Sequence, residues 1–126
     1  PNIDFKIYSK KNSIEVKYPK EKLEIVMENI ISNAVEAFGD DFNDDPQVVV
    51  EVDEVPDYYL IKVVDNGIGI EEDILKKVFD PFFTTKEKGM GLGLAIVYRF
   101  VKEMGGKIRI ESVKGRGTEV TLCLPK

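Results

Sequence analysis

The sequence contains no histidine and only one cysteine, Cys123. Without histidine, the chain cannot hold a histidine-dependent catalytic triad, a histidine metal site or a phosphorylated histidine of its own. A lone cysteine excludes an internal disulfide and is typical of a reducing compartment. No apolar run reaches the roughly 18 residues that a membrane-spanning helix needs, and no signal peptide opens the chain.

The residues that are present describe one globular domain. The chain has 126 residues, of which 43% are hydrophobic and 33% charged, and this composition suits a core that folds without staples. Its net charge of -5, with the two signs interspersed, argues against general nucleic-acid binding. We expect residues 1–126 to form a single domain in the cytoplasm, without membrane contact of its own. Because the chain starts at Pro1 without Met, we expect a fragment of a longer protein.

The spacing of apolar residues predicts a mixed secondary structure. Strands are predicted at 3–8, 13–17, 47–53, 58–64, 107–113 and 118–124. Helices are predicted at 20–38, 71–79 and 92–104, with a mobile loop at 80–91. This order favours a two-layer α/β sandwich, in which a mixed, mostly antiparallel sheet carries its helices on one face.

Two asparagines occupy one side of the first long helix. At about 100° per residue, Asn29, Asn33 and Glu36 fall within roughly a 60° arc that borders the apolar stripe. An asparagine offers a neutral oxygen ligand, and Mg²⁺ prefers oxygen ligands while taking several from water and phosphates. The pattern therefore fits one wall of a metal and phosphate site, although asparagines that merely solvate a helix would give the same pattern.

A glycine turn follows an apolar strand in the middle of the chain. Asp65 ends that strand, and Gly67 and Gly69 come directly after it. A carboxylate held there would accept a hydrogen bond from an exocyclic amine such as that of adenine, and glycines let a ligand approach the backbone. An ordinary Asp-Asn-Gly turn is the alternative interpretation.

A second glycine series precedes the last helix. Gly89, Gly91 and Gly93 alternate at its start, where uncovered backbone N–H groups bind phosphate. A flexible hinge would use the same residues. The loop before this series contains the aromatic run 79–83, which would anchor a lid on the core, and Lys86, which would reach a triphosphate. The alternative interpretation is that the phenylalanines only extend the core and that Lys86 is solvated.

The order of these motifs is more specific than any one of them. The series Asn29-x-x-x-Asn33, Asp65-x-Gly67-x-Gly69, Phe79–Phe83, Gly89-x-Gly91-x-Gly93 and Gly117-Thr118 resembles the catalytic ATP-binding domain of sensor histidine kinases. That family belongs to the GHKL superfamily of gyrase, heat-shock chaperone ninety and mismatch-repair proteins. The resemblance implies the Bergerat ATP-binding fold, ATP and Mg²⁺ as cofactors, and transfer of the γ-phosphoryl group to a histidine. That histidine would lie on a separate dimerisation domain of the same protein, which serves a cognate response regulator.

The resemblance also implies a role for each motif residue. Asn33 matches the Mg²⁺ ligand, and Asn29 matches its catalytic partner one turn earlier. Asp65 and Thr118 match residues at the adenine, and Gly67, Gly69 and Ile70 match the base pocket. The residues matched to phosphate binding are Lys86, Gly89, Met90, Gly91, Leu92, Gly93 and Leu94.

Two departures from the family pattern bear on the reaction. Relatives that hydrolyse ATP carry a water-activating glutamate at the position of Asn29, whereas Glu28 here is offset by about 100° toward solvent. Many kinases of the family carry a basic residue where this chain has Glu36. The run Phe82-Phe83-Thr84-Thr85-Lys86 is similar to the nitrogen-regulation subgroup. The remaining alternatives are a stand-alone ATPase, a serine kinase of the anti-sigma type, and a non-catalytic module gated by nucleotide.

Overall fold

A computed structural model describes residues 3–39, 45–79 and 90–126, and for residues 90–93 it describes the backbone alone. The elements, in chain order, are β1 (Asp4–Ser9), α1 (Lys20–Glu36), β2 (Gln47–Glu54), β3 (Tyr58–Asp65), α2 (Glu72–Leu75), α3 (Met90–Glu103), β4 (Lys107–Val113) and β5 (Gly117–Pro125). None of the helices in these ranges has the length and hydropathy of a membrane span.

The strands form a five-stranded mixed sheet in the order β1-β2-β3-β5-β4. β1 pairs parallel with β2, and the other three pairings are antiparallel. Helices α1 and α3 pack against each other and against the sheet. The predicted α/β fold with a mixed, mostly antiparallel sheet is therefore confirmed.

The core lies between one face of the sheet and the two long helices. Burial alternates along β3, β4 and most of β5, as expected for a sheet with one covered face, whereas every residue of the edge strand β1 is exposed. The buried hydrophobic residues of this cluster are Val26, Ile30, Ala34, Val48, Val50, Ile61, Val63, Val97, Val101, Met104, Val120, Leu122 and Leu124.

On the covered face of β3, β5 and β4, the side chains change from apolar to polar toward one end of the strands. One cross-strand row consists of Ile61, Leu122 and Ile108, and the next consists of Val63, Val120 and Ile110. Directly opposite residues on paired strands point to the same face, so both rows face the helices. The following row is polar and consists of Asp65, Thr118 and Ser112. The core therefore ends in a row of hydrogen-bonding side chains.

The strand predicted at 13–17 is wrong, because these residues pair with no strand. Burial does alternate there, with Ile14, Val16 and Tyr18 half-buried, so the period-two signal came from an extended segment with one packed side. Side chains rather than ladder hydrogen bonds hold it. The Tyr59 hydroxyl donates to the carbonyl of Glu15 at 2.9 Å, and the Tyr18 hydroxyl donates to the carbonyl of Pro125.

The bounds of α1 agree with the prediction to within two residues, but its buried stripe is different. Val26 is fully buried together with Ile30 and Ala34, whereas Leu23 and Met27 are only partly buried. The apolar spacing in the sequence predicts a stripe of Leu23, Met27, Ile30, Ala34 and Phe38. This pattern steps four residues from Leu23 to Met27 and so passes over Val26.

The second predicted helix is much shorter in the structure. α2 ends at Leu75, and the N–H of Lys77 donates to the carbonyl of Ile74 at 2.9 Å, a three-residue spacing that tightens and ends the helix. α3 begins at Met90, two residues earlier than predicted, so Gly91 and Gly93 are helical. Glycine costs about 1 kcal/mol within a helix, and the buried Leu94 and Val97 offset this cost on the core side. Residues 80–89 of the loop predicted at 80–91 lie outside the described residues.

Candidate functional site

A cavity of about 190 Å³ opens where the polar row meets the helices. A dry cavity of about 150 Å³ is enough to hold a benzene ring, so this volume suits a fused two-ring base. Most of the wall is apolar, and a few polar side chains reach it, as in small-molecule sites generally. Predicted site residues in the wall are Asn33, Asp65, Gly69, Ile70, Leu94 and Thr118, and they are joined by Glu36, Ile68 and Lys114.

Asp65 places a carboxyl group at the buried end of β3. It is 6% exposed, and one carboxyl oxygen accepts the N–H of Gly67 at 2.9 Å. Burial raises the pKa of Asp65 to about 6, and this rise is opposed by hydrogen bonds from the backbone N–H groups of Gly67 and Thr118. Near neutral pH the group is mostly a carboxylate, which accepts hydrogen bonds and cannot donate them.

The turn after Asp65 is fixed between α1 and the β4–β5 hairpin. The N–H of Ile68 donates to the carbonyl of Ala37 at 3.1 Å, and the N–H of Gly115 donates to the carbonyl of Ile68 at 2.7 Å. Gly69 has φ 73° and lies so close to Val113 that a Cβ would be 2.8 Å from its carbonyl carbon. Only glycine satisfies both conditions. This part of the cavity wall is therefore held in place by the fold.

Asn33 and Asn29 occupy different environments. Asn33 lines the cavity, and its Nδ2 atom is buried without a hydrogen-bond partner among the residues that the structure describes. A 180° rotation of the side-chain amide exchanges its oxygen and its nitrogen, so Asn33 can offer a ligand either a donor or an acceptor. Asn29, one turn earlier, lies outside the cavity wall, and its Nδ2 donates to the carbonyl of Ile25 at 2.7 Å. Its assignment as a catalytic residue stays a prediction.

The residues predicted to bind phosphate are only partly described. Leu94 is 2% exposed and lines the cavity from the second turn of α3. The first N–H groups of a helix have no partner within it, and Met90, Gly91, Leu92 and Gly93 form that first turn. Gly89, Lys86 and residues 80–83 of the aromatic run lie outside the described residues. Phe79 packs against Tyr98 of α3, with ring centroids 5.0 Å apart.

Sequence reasoning missed two residues of this region. Ser112 stands in register with Thr118 behind the cavity wall, and the alternation Ile108, Ile110, Ser112 on one strand face was a usable signal. Lys114 follows β4 and brings a positive charge to the wall, but a lysine at a hairpin tip gives no sequence signal of its own. Glu36 was placed beside Asn33 by the helical arc, and the structure does bring the two to one cavity.

These features together describe a preformed purine-sized cavity, with an acceptor at its buried end and an unpartnered amide on its helical wall. The sequence model of one protein family, the histidine kinase-, DNA gyrase B-, and HSP90-like ATPases, matches residues 19–126. The chain belongs to this family. It is accordingly an ATPase-type domain that binds nucleotide, and the resemblance inferred from the motif order is confirmed at the level of family and fold.

Curated relatives of the chain are bacterial kinases. It is 39% identical over 118 residues to sporulation kinase D of Bacillus subtilis, covering 94% of this chain and 22% of that protein. It is 38% identical over 111 residues to the sensor histidine kinase ZraS of Escherichia coli O157:H7, covering 88% of this chain and 23% of that protein. The chain thus spans less than a quarter of the length of these relatives.

Solved structures give the same result for the fold. The catalytic domain of histidine kinase ThkA, in a nucleotide-free form, superposes with a TM-score of 0.85 at 30% identity, covering 98% of this chain and 79% of that one. The mycobacterial sensor histidine kinase MprB superposes with a TM-score of 0.81 at 26% identity, covering 98% of this chain and 81% of that one.

Proposed function

We propose that the chain binds ATP with Mg²⁺ in this cavity and donates the γ-phosphoryl group to a histidine. The acceptor would lie on a dimerisation domain of the same longer protein, and a cognate response regulator would follow it in a cytoplasmic signalling pathway. Residues 1–126 would act as the single catalytic domain. The observation that carries this proposal is that Asp65 and the unpartnered amide of Asn33 line the same cavity.

The buried end of the cavity supports adenine as the base. The Asp65 carboxylate accepts hydrogen bonds and lies in register with Thr118, so two oxygen-bearing side chains stand beside each other there. The exocyclic amine of adenine supplies the donors that such a site requires. The apolar remainder of the wall suits the faces of a base.

The helical wall supports a metal bound together with phosphate. Magnesium keeps several waters and takes its remaining ligands from phosphates and one or two protein oxygens. Turned with its oxygen inward, the Asn33 amide would be such a ligand, and this contact would remove its unsatisfied hydrogen-bonding group. Once bound, the ion would neutralise charge on the phosphates. The first turn of α3 would supply further N–H donors to the phosphates.

The proposed reaction does not require a covalent intermediate with the protein. Phosphoryl transfer depends chiefly on positioning and on charge stabilisation rather than on covalent help. The chain has no histidine, so the phosphorylated residue would belong to another domain. Asn29 stands where hydrolysing relatives carry a glutamate, and an amide cannot act as a general base toward water.

The test is transfer of radiolabelled γ-phosphate to the histidine-bearing dimerisation domain of the full-length protein, supplied separately. We expect acid-labile label on that domain with the native chain, and at least a hundredfold less with Asn33→Ala, as for the loss of a contact that acts on the transferring group. Ser32→Ala is the matched control, since Ser32 is the exposed neighbour on α1. Native rates in Asn33→Ala would refute the proposal.

One observation favours a second candidate, hydrolysis of ATP by the chain alone. Glu36 lines the cavity, so a carboxylate near the phosphates would orient a water molecule. Phosphate release by the isolated chain that is abolished in Glu36→Gln would support hydrolysis. Histidine transfer without measurable release would exclude it.

A further inference from the structure

We propose that Ser112, which does not line the cavity, determines base selectivity by fixing the direction of the Thr118 hydroxyl. This inference rests on the proposed function, because it concerns the adenine end of the same site. Ser112 lies on β4, one strand behind Thr118, and its oxygen makes three polar contacts within 3 Å. Only one arrangement of the hydroxyl protons makes all three contacts hydrogen bonds.

The first two contacts assign the proton of Ser112. The backbone N–H of Ile70 donates to Ser112 Oγ at 2.8 Å and so occupies one lone pair. The carbonyl oxygen of Gly117 lies 2.9 Å from the same Oγ and can only accept. A serine hydroxyl carries one proton and two lone pairs, so that proton goes to Gly117.

The third contact then assigns the proton of Thr118. Its Oγ1 lies 2.8 Å from Ser112 Oγ, which has one lone pair left and no second proton. For all three contacts to be hydrogen bonds, the Thr118 hydroxyl donates to Ser112. Its proton points away from the cavity, and only its lone pairs remain for a ligand.

The side chains of Asp65 and Thr118 therefore offer a ligand only hydrogen-bond acceptors at this end of the cavity. The neighbouring Asp65 carboxylate also accepts and lies in register with Thr118. A base with an amino group at this edge satisfies both side chains. A base with a carbonyl oxygen there, such as hypoxanthine, meets two acceptors and leaves its own oxygen unpaired, which is the kind of mismatch that discriminates strongly between ligands.

Ser112 also connects this selectivity to the base-pocket turn. Its bond from the N–H of Ile70 joins β4 to a residue of the cavity wall. Loss of the serine oxygen would free the Thr118 hydroxyl to rotate and donate into the cavity. The Ile70 N–H would lose its acceptor, which would weaken binding of all bases about equally. The two effects are separable, because rotation of the Thr118 hydroxyl changes the ratio of affinities for two bases, whereas loss of the Ile70 bond lowers both affinities equally.

The experiment measures dissociation constants for ATP and inosine triphosphate with Mg²⁺ at pH 8, where Asp65 is ionised. We expect native protein to prefer ATP, and Ser112→Ala to reduce the preference about tenfold, the value of one hydrogen bond. Ser112→Cys fills the same space with a weak hydrogen-bonding group and should act in the same direction. Ser112→Thr keeps a hydroxyl at this position and should therefore keep the native preference for ATP.

A double-variant test separates positioning from general damage to the fold. In a Thr118→Val background no hydroxyl remains to be oriented, so adding Ser112→Ala should leave the preference unchanged. A preference that stays within twofold of native in Ser112→Ala and Ser112→Cys would overturn the inference while ATP binding sustains the proposed function. Failure of the native chain to bind either nucleotide would overturn both.

Discussion

The Cα of Gly117 on β5 lies directly against the carbonyl oxygen of Asp65 on β3, and a Cβ built at Gly117 would overlap that oxygen. Gly117 also has φ 117°, a conformation that other residues rarely adopt. This close approach brings the strand that carries Thr118 against the end of the strand that carries Asp65. It is therefore one of the contacts on which the shape of the cavity depends.

Gly117→Ala is expected to destabilise the chain by about 3 kcal/mol, through steric overlap added to backbone strain. At Gly115, φ is 88° and no atom of the described residues lies within 4 Å of an added Cβ, so Gly115→Ala should cost only the strain of about 1–2 kcal/mol. Gly39 has no positive φ, and an added Cβ would likewise meet no described atom within 4 Å, so Gly39→Ala should be nearly neutral. Urea denaturation of the three variants measures this order, and equal effects at Gly115 and Gly117 would contradict the overlap.

Asp65 should give stability a specific dependence on pH. Its pKa rises from 3.8 to about 6 on folding, so the folded state favours the neutral form. This contribution is fully present below pH 3.8 and is lost as pH rises through about 6. Relative to Asp65→Asn, native protein should lose roughly 3 kcal/mol of unfolding free energy between pH 3.5 and pH 7. Urea melts of both proteins across this range measure the difference, and a difference that does not vary with pH would contradict the assignment.

Nucleotide affinity should vary with pH in the opposite direction. The Asp65 carboxylate accepts a hydrogen bond from adenine more strongly than the neutral acid does. Affinity for ATP should therefore fall as pH decreases below about 6, the pKa of Asp65. The same change should be absent in Asp65→Asn, whose overall affinity for adenine nucleotides is expected to be lower. Calorimetric titrations at pH 5 and pH 8 measure both effects.

Asn33→Ala should raise the stability of the nucleotide-free protein while it weakens nucleotide binding. Within the described part of the chain, the Nδ2 atom of Asn33 is buried without a hydrogen-bond partner, and alanine is also the better helix former. The nucleotide-free variant should thus be more stable than native protein by about 1 kcal/mol. Added ATP with Mg²⁺ should raise the melting temperature of native protein and leave that of Asn33→Ala almost unchanged. A less stable nucleotide-free variant would show that the amide has a structural partner.

A matched pair of valines tests the core of α1. Val26 is 0% exposed and Val35 is 38% exposed on the same helix. Val26→Ala should cost about 2 kcal/mol, because two methyl groups are lost and a cavity remains. Val35→Ala should fall within about 0.5 kcal/mol of native protein. Chemical denaturation distinguishes the two, and similar effects would place the buried stripe elsewhere.

The fold was predictable from the sequence wherever a periodic apolar pattern coincided with strand or helix pairing. The stripe through Ile30 and Ala34 and the alternation in β3 and β5 are such cases. Residues 13–17 show the limit, because alternation reports one packed side and cannot reveal whether a neighbouring strand is present. The start of α3 was misplaced because glycine favours loops locally, while burial of Leu94 and Val97 favours the helix.

The candidate site was predictable to the extent that it consists of short motifs. Asn33, Asp65, Gly69 and Thr118 were each identified, and they converge on one cavity. The role of Ser112 was not predictable, because it depends on cross-strand register and on the count of protons around one oxygen. Asn29 shows a further limit, since a helical arc places side chains on one side without showing which of them bonds to its own helix.

The position of β5 has a consequence for the biosynthesis of this protein. It follows every other strand of the sheet in the chain, yet it lies between β3 and β4. During translation, the first four strands therefore emerge while the middle of the sheet still has a gap. The cavity has no complete wall until this last strand inserts, so a nascent chain cannot bind a ligand there before β5 has left the ribosome.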